Sequence, residues 1–284
     1  MKRYAVIGWP LGHSMSPAIH NASFEAMGLD CRLDAVPVPP DGLGAFMRSL
    51  ASSGLRGLAV TIPHKGAVLR QCASADPAAA AIGAANTVSV GGGGETRAYN
   101  TDASGAAAAL RDAGISAAGA RVVVLGAGGA ARAICHRLLS DGAASVAIAN
   151  RTVPRAEALR DDLERACGAA GRVEAVPASG PGFEAALASA GILINATPVG
   201  MSPRAGESPV PRGLLRRGLA VMDIVYNPLE TRLLADARAA GAVAIPGTEM
   251  LLRQAEGQER IWLGVEAPLG VMRAALLSAL ARSP

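Results

Sequence analysis

The sequence predicts an α/β protein of two domains, each built on a largely parallel sheet. Three observations predict it. Short aliphatic runs alternate with helix-length stretches along nearly all of the 284 residues, which is the rhythm of βαβ units. That length exceeds the roughly 100–200 residues of one ordinary domain. Half of the residues are hydrophobic yet only 3% are aromatic, so the cores must be filled by Ala, Val, Leu and Ile. Such a composition suits α/β layers and excludes a stacking surface for nucleic acid.

The first half carries strand candidates at Tyr4 to Ile7, Arg32 to Val36 and Gly57 to Thr61, with helical stretches at Pro17 to Met27 and Leu43 to Ser52 between them. Asn86 to Val90 and Thr96 to Tyr99 flank four glycines, Gly91 to Gly94. Glycine supplies the positive φ angles of a tight turn, so this pair reads as a hairpin at one side of the first sheet. Ser104 to Asp112 reads as an Ala-rich helix, and Gly114 to Gly119 as a loose link into the second half. There the strands fall at Arg121 to Leu125, Val146 to Ala149, Arg172 to Val176, Ile192 to Asn195 and Ala220 to Asp223, with a short one at Val243 to Ile245. From Glu249 on, two helices are expected, broken near Pro268.

Charge and cysteine usage narrow the classes further. The formal charge is +4, from 27 basic and 23 acidic residues scattered singly, which suits anionic small molecules and offers no basic arm for nucleic acid. Cys31, Cys72, Cys135 and Cys167 lie far apart with no C-x-x-C, so they read as reduced thiols and no zinc site is expected. His13, His20, His64 and His136 show no H-E-x-x-H spacing, which argues against a metal hydrolase. Gly8 and Pro10 interrupt the N-terminus before a signal-length apolar run, and no run reaches membrane-spanning length. A cytoplasmic protein without a membrane partner is expected.

The strand Val122 to Leu125 runs directly into Gly126-Ala127-Gly128-Gly129-Ala130-Ala131 and then a helical stretch, Arg132 to Leu139. Strand, glycine turn and helix start come in the order a pyrophosphate needs: Gly126 makes the turn, Gly128 lets backbone N–H groups approach, and the helix start offers unpaired donors. Ala131 stands at the third glycine position, which accepts alanine. The second half is therefore read as a Rossmann-type nucleotide-binding domain. An acidic residue about 20 positions on would take the free ribose hydroxyl of NAD. Here the next strand ends instead in Asn150-Arg151-Thr152, with Arg155 following. Two guanidinium groups and a hydroxyl suit a 2′-phosphate, so NADP(H) is the expected cofactor.

Polar clusters stand at the predicted C-terminal ends of the first-half strands, where open α/β sheets place ligands. They are His13-Ser14-Met15-Ser16-Pro17, Val60-Thr61-Ile62-Pro63-His64-Lys65, Gly83-Ala84-Ala85-Asn86-Thr87 and Tyr99-Asn100-Thr101-Asp102. Singly each has a plainer explanation: Ser16 before Pro17 fits a helix start, Asp102 an N-cap, and Lys65 a solvated surface group.

Taken in order, these runs resemble the shikimate dehydrogenase family. The resemblance continues through the Gly126 to Ala130 turn, Asn150-Arg151-Thr152, Asn195-Ala196-Thr197-Pro198-Val199-Gly200-Met201, Asp223-Ile224-Val225-Tyr226-Asn227-Pro228, and Gly247-Thr248-Glu249-Met250 with Gln254. It implies a substrate domain of residues 1–103 plus 247–284, completed by the C-terminal helices, and an NADP domain of residues 104–246. It also implies that Ser14 and Ser16 hold the shikimate carboxylate, and that Thr61, Asn86, Asp102 and Gln254 hold the ring hydroxyls. Lys65 and Asp102 would be the catalytic pair, with Tyr226 and Gly247 near the nicotinamide and substrate. Gly126, Ala127, Gly128, Gly129, Ala130, Asn150, Arg151, Thr152, Arg155, Ile224 and Gly247 would line the cofactor. The implied reaction is reversible NADPH-linked reduction of 3-dehydroshikimate, toward chorismate and the aromatic amino acids.

The residue types fit that chemistry. Oxidising an alcohol removes a hydride to the cofactor and a proton to a nearby group. Lys65 is the candidate for the proton, and a carboxylate beside it would keep an ammonium charged and aimed. Which of Lys65 and Asp102 is the formal acid or base stays open. The family pattern usually has Asn at Ala59, and Gly at Ala103 and Glu249; the first change is expected to alter the site next to Thr61 and Lys65. Two rivals remain, a quinate or quinate/shikimate dehydrogenase and a non-catalytic NADP-binding regulator. Ser16, Arg151 and the Lys65–Asp102 pair argue against them. Monomer and homodimer are both open.

Overall fold

The structure, a computed structural model, describes residues 1–12 and 14–282. His13 lies outside the described residues. The chain forms two compact units: Met1–Thr101 joined by the chain from Leu252 on, and Asp102–Leu251.

The first unit contains β1 (Lys2–Gly8), α1 (Ser16–Ala26), β2 (Cys31–Pro37), a 3-10 turn (Pro40–Gly42), α2 (Leu43–Ser53), β3 (Leu55–Val60), α3 (Lys65–Gln71), β4 (Ser74–Ala75), α4 (Pro77–Ile82), β5 (Thr87–Val90) and β6 (Thr96–Tyr99). Its six strands lie in the order β2-β1-β3-β5-β6-β4. Parallel pairing joins β2, β1 and β3, whereas β5 runs antiparallel to both β3 and β6. Alternate residues of β1 and β3 serve opposite faces, as the strand period demands. Ala5, Ile7, Leu58 and Val60 pack with Leu43, Met47 and Leu50 of α2, while Tyr4, Val6 and Ala59 pack with Phe24. With both faces covered, these strands are apolar almost throughout.

The hairpin forms where the glycines predict it. Gly94 has φ +90, and a Cβ there would come within 2.5 Å of the Ala51 Cβ, so glycine serves both the turn and the approach of α2. The hairpin lies at one side of the sheet, with the two-residue β4 pairing outside β6. A two-residue strand carries no periodic signal in sequence.

The second unit follows α5 (Thr101–Asp112) with β7 (Arg121–Leu125), α6 (Gly129–Ser140), β8 (Ser145–Asn150), α7 (Val153–Cys167), β9 (Val173–Pro177), α8 (Pro181–Ser189), β10 (Ile192–Asn195), a 3-10 turn (Arg212–Leu214), β11 (Ala220–Asp223), α9 (Arg232–Ala239) and β12 (Val243–Ile245). Then come α10 (Gly247–Leu263) and α11 (Leu269–Arg282). All pairings in the sheet β12-β11-β10-β7-β8-β9 are parallel. Counted from its first strand this is the 3-2-1-4-5-6 order of a Rossmann fold.

The loose stretch Gly114 to Gly119 does not divide the units; it lies inside the second. The divisions fall within α5 and α10. Ala106, Ala109 and Leu110 of α5 are already committed to the second unit's apolar core, whereas Thr101 at its start bonds to Asn86 of the first. In the C-terminal region α11 packs on α1 through a face that includes Met272, Leu276 and Leu280. Among the described residues no helix is long and apolar enough to cross a membrane.

Candidate active site

Two loops at the C-terminal ends of the first unit's strands are tied to one another by backbone bonds. Trp9 N–H donates to Ile62 O at 2.9 Å and Thr61 N–H to Ile7 O at 2.9 Å, joining the loops after β1 and β3. A Cβ on Gly8 would sit 2.4 Å from Thr61 Cγ2, so glycine is what lets these loops meet. Ser14 and Ser16 are half-buried at the start of α1. The N-cap of α1 is Met15, which makes no side-chain cap bond; among the described residues Ser14 Oγ accepts a long 3.4 Å bond from Ser16 N–H. Lys65 opens α3 and is half-buried. The loop before it is pinned by His64, whose buried Nε2 donates to Val38 O at 2.6 Å.

Asn86 is buried and held through both its backbone and its side chain. Its backbone carbonyl accepts from Val60 N–H at 2.7 Å and its N–H donates to Tyr99 O at 3.1 Å. Its side-chain Oδ1 accepts from Thr101 N–H at 2.7 Å and Thr87 Oγ1 at 2.9 Å. A backbone N–H can only donate, so the amide orientation is settled. Nδ2 then donates to Thr101 Oγ1 at 2.9 Å and to Gln254 Oε1 at 3.1 Å. Asn86 and Gln254, far apart in the chain, thus meet directly. Asp102 is 2% exposed and lies inside the first turn of α5, which starts at Thr101, so it is not the N-cap that its residue type alone suggests.

In the second unit Gly126 has φ +106, and a Cβ there would lie 3.0 Å from Ala196 O. No other residue makes this turn without strain. Gly128 is exposed with nothing near a Cβ position, and α6 begins at Gly129 with Ala130 in its first turn. The loop therefore presents open backbone before a helix of 12 residues. After β8, Asn150 Nδ2 donates to Thr152 O at 2.8 Å and Arg155 N–H to the same carbonyl at 3.0 Å. That turn holds Arg151 and Arg155 exposed, with no ion pair to either among the described residues. Open backbone at a helix start and two uncommitted guanidinium groups fit a nucleotide carrying a 2′-phosphate.

The floor of this unit's strand ends is a buried polar cluster. Asp223, at the end of β11, is 0% exposed and accepts from Asn195 Nδ2 at 2.9 Å, Val225 N–H at 3.1 Å and Thr231 Oγ1 at 2.7 Å. Burial pushes its carboxyl from an ordinary 3.8 up to about 6, against the pull of those three donors. Asn195 Oδ1 in turn accepts from Thr197 N–H and Oγ1, which shapes the loop after β10 that closes on Gly126. Gly247 packs against backbone: a Cβ would lie 2.5 Å from Val225 O and 2.6 Å from Ile224 O. Tyr226 follows at once, and burial raises its hydroxyl pKa, so it is a neutral donor at physiological pH.

Comparison with known proteins gives the family. Family models match as the "Shikimate dehydrogenase substrate binding domain" over residues 6–88, "Shikimate / quinate 5-dehydrogenase" over 108–203 and "Shikimate 5'-dehydrogenase C-terminal domain" over 247–277. A shikimate dehydrogenase (NADP(+)) of Symbiobacterium thermophilum is 42% identical over 280 residues, covering 98% of this chain and 95% of the relative. The chain belongs to the shikimate dehydrogenase family. Among solved structures, that of the Thermus thermophilus shikimate 5-dehydrogenase with NADP(H) and shikimate matches with TM-score 0.87 at 35% identity, covering 98% of this chain and all (100%) of the other. The quinate dehydrogenase of Corynebacterium glutamicum with NAD matches with TM-score 0.90 at 32% identity, covering 98% and 99%.

As a shikimate dehydrogenase family member the chain departs from the usual pattern at Ala59, which is 3% exposed in the apolar cluster of Tyr4, Val6, Leu11, Phe24 and Leu33. Among the described residues no buried side-chain polar atom lacks a partner, so the missing Asn leaves no orphaned group. Ala103 is likewise buried at 6% exposure. Sequence reasoning passed over Thr87, Thr101, His20, Gln258 and Glu259, all buried polar residues of the first unit. One signal was available: Gln258 stands one helical turn after Gln254, on the same face of α10.

Proposed function

We propose that the chain catalyses the reversible NADPH-linked reduction of 3-dehydroshikimate to shikimate, in the cytoplasmic route to chorismate and the aromatic amino acids. The observation that carries this reading is full-length similarity to an NADP(+)-dependent shikimate dehydrogenase in a chain that keeps both the Lys65–Asp102 pair and the Arg151–Arg155 turn. Residues 1–103 and 247–284 bind the substrate and residues 104–246 bind NADP.

Ser14 and Ser16 hold the carboxylate with their hydroxyls. Thr61, Asn86, Asp102 and Gln254 take the ring hydroxyls. The Asn86–Gln254 bond leaves the Gln254 amide nitrogen as a donor toward the ring. Gly126, Ala127, Gly128, Gly129 and Ala130 receive the pyrophosphate, Asn150, Arg151, Thr152 and Arg155 the phosphorylated ribose, and Ile224, Tyr226 and Gly247 the nicotinamide side. When bound, NADP supplies the two-electron acceptor and NADPH the donor. The protein handles the proton. As the neutral amine, Lys65 Nζ receives it from the substrate hydroxyl on oxidation; as the ammonium it returns it to the developing alkoxide on reduction, the direction in which Asp102 keeps that ammonium charged and aimed.

Steady-state turnover, followed by nicotinamide absorbance with shikimate and quinate, each with NADP and NAD, tests the reading. Turnover with shikimate and NADP at least about tenfold above every other pairing is expected. A preference for quinate or NAD moves the chain to the quinate branch, and NADPH binding without turnover of either acid makes it a regulator.

A further inference from the structure

The first unit buries a chain of polar side chains that the proposed reaction does not itself use. Ser23, His20 and Glu259 are 0% exposed and Gln258 is 3% exposed. Ser23 Oγ donates to Glu259 Oε2 at 2.7 Å, and Glu259 Oε1 faces His20 Nδ1 at 2.7 Å. His20 Nε2 meets Gln258 Oε1 at 3.0 Å, and Gln258 Nε2 donates to Asn86 O and Thr87 Oγ1, both at 3.3 Å. Thr87 Oγ1 in turn donates to Asn86 Oδ1 at 2.9 Å.

The direction of each bond follows from its ends. Asn86 O is a carbonyl and can only accept, so the Gln258 amide nitrogen faces it and Gln258 Oε1 faces His20. His20 Nε2 therefore carries a proton. One further proton lies between His20 Nδ1 and Glu259 Oε1, leaving the pair neutral overall whichever atom holds it. The ring is flanked by Trp262 at 5.4 Å and Phe24 at 5.9 Å, and Trp262 Nε1 donates to Val88 O at 2.9 Å. Gly57 makes room for the indole, since a Cβ there would lie 2.4 Å from Trp262 Nε1.

Burying this many polar groups is costly unless every one is satisfied, and apolar residues would fill the space more cheaply. What the chain secures is orientation. Gln254 and Gln258, one turn apart on α10, grip the same residue: Gln254 the Asn86 side chain, Gln258 its backbone carbonyl and its Thr87 neighbour. We propose that Gln258, held in its orientation by the buried His20–Glu259 pair, is a positioning residue for substrate binding that fixes Asn86 and, through the Asn86–Gln254 bond, the Gln254 amide for the ring hydroxyls of shikimate. The inference rests on the reading of Asn86 as a substrate ligand.

The test is Gln258→Met, which keeps volume and removes all three hydrogen bonds of the side chain, to Asn86 O, Thr87 Oγ1 and His20 Nε2, studied alone and combined with Asn86→Ala. In the single variant the KM for shikimate rises about tenfold, the loss of roughly one buried hydrogen bond, while the KM for NADP stays within about twofold. In the Asn86→Ala background Gln258→Met adds no further rise, because Gln258 acts through Asn86. Equal rises in both Michaelis constants, or additive effects of the two changes, overturn the proposal. An unchanged shikimate KM in Asn86→Ala overturns the substrate reading of Asn86 and the proposal with it. Should Gln258→Met not fold, Thr87→Val breaks the same link from its other end. It is expected to raise the shikimate KM about threefold, again without addition to Asn86→Ala.

Discussion

The two units of this molecule each carry a six-stranded sheet, yet they build their sites in opposite ways. In the second unit every strand pairs in parallel, and the turn after β7 offers backbone: a glycine at φ +106 and an open helix start, with arginines exposed beyond the next strand. In the first unit an antiparallel hairpin is set into the sheet, and polar side chains from β5, α5 and α10 converge in the interior around Asn86. Under the proposed function the difference follows from what each unit recognises. A phosphate is large, charged and indifferent to which N–H binds it, so a helix start suffices. A ring whose hydroxyls differ only in position demands donors and acceptors fixed from several directions, which requires buried, fully satisfied side chains.

The division of labour can be broken most decisively at Lys65. Lys65→Ala is expected to lower kcat by about 10²–10⁴, the usual worth of a general acid or base, with NADP affinity by calorimetry unchanged within about twofold. Loss of NADP binding in this variant would mean that the first unit's chemistry and the second unit's recognition are not separable.

The polar interior of the second unit is sharpened by pH. Asp223 keeps its proton up to about 6 when folded, against an ordinary 3.8. Between these values the native state binds more protons than the unfolded one, so stability falls as pH rises through about 4 to 6 and levels off above. The loss is on the order of 3 kcal/mol. Denaturant unfolding across that range should show the slope in the wild type and its absence in Asp223→Asn. Parallel curves for the two proteins would mean that Asp223 is ionised at no cost and that this interior is as wet as a surface.

The smallest of the three effects belongs to the exposed arginines. Arg151→Ala and Arg155→Ala should each raise the KM for NADP about tenfold, the worth of one charge-assisted hydrogen bond. Shikimate and NAD constants should stay put. A change in the shikimate constant would show that cofactor and ring recognition are coupled.

How much of this was legible in the chain depended on contact range. The turn at Gly126 could be read because strand, glycines and helix are consecutive, and the hairpin at Gly91 to Gly94 for the same reason. The β-strands of both units could be read because burial on both faces leaves continuous aliphatic runs such as Val122 to Leu125. The two-residue β4 and the short α3 and α4 carry too few residues for a period. Composition and periodicity alone do not place the division of the units within α5 and α10, because a helix shows one amphipathic pattern whichever core its ends serve; the bounds 103/104 and 246/247 that the family resemblance implies lie within a few residues of it. Ser14, Thr61, Lys65 and Asp102 could be named only through family resemblance, since each alone fits a cap or a surface group.

By itself the sequence determined local matters: the alternation of strands and helices, the nucleotide-type turn, and the arginines in place of an acidic residue after β8. These depend on neighbours within a few positions, where steric limits on φ and the strand period act directly. Tertiary structure alone decided that His20 meets Glu259, that Gln254 and Gln258 close on Asn86, and that Asp223 sits dry beneath the β10 loop. Those residues are brought together by strand order and helix packing, and their protons and orientations depend on desolvation, which no residue carries until the rest of the chain surrounds it.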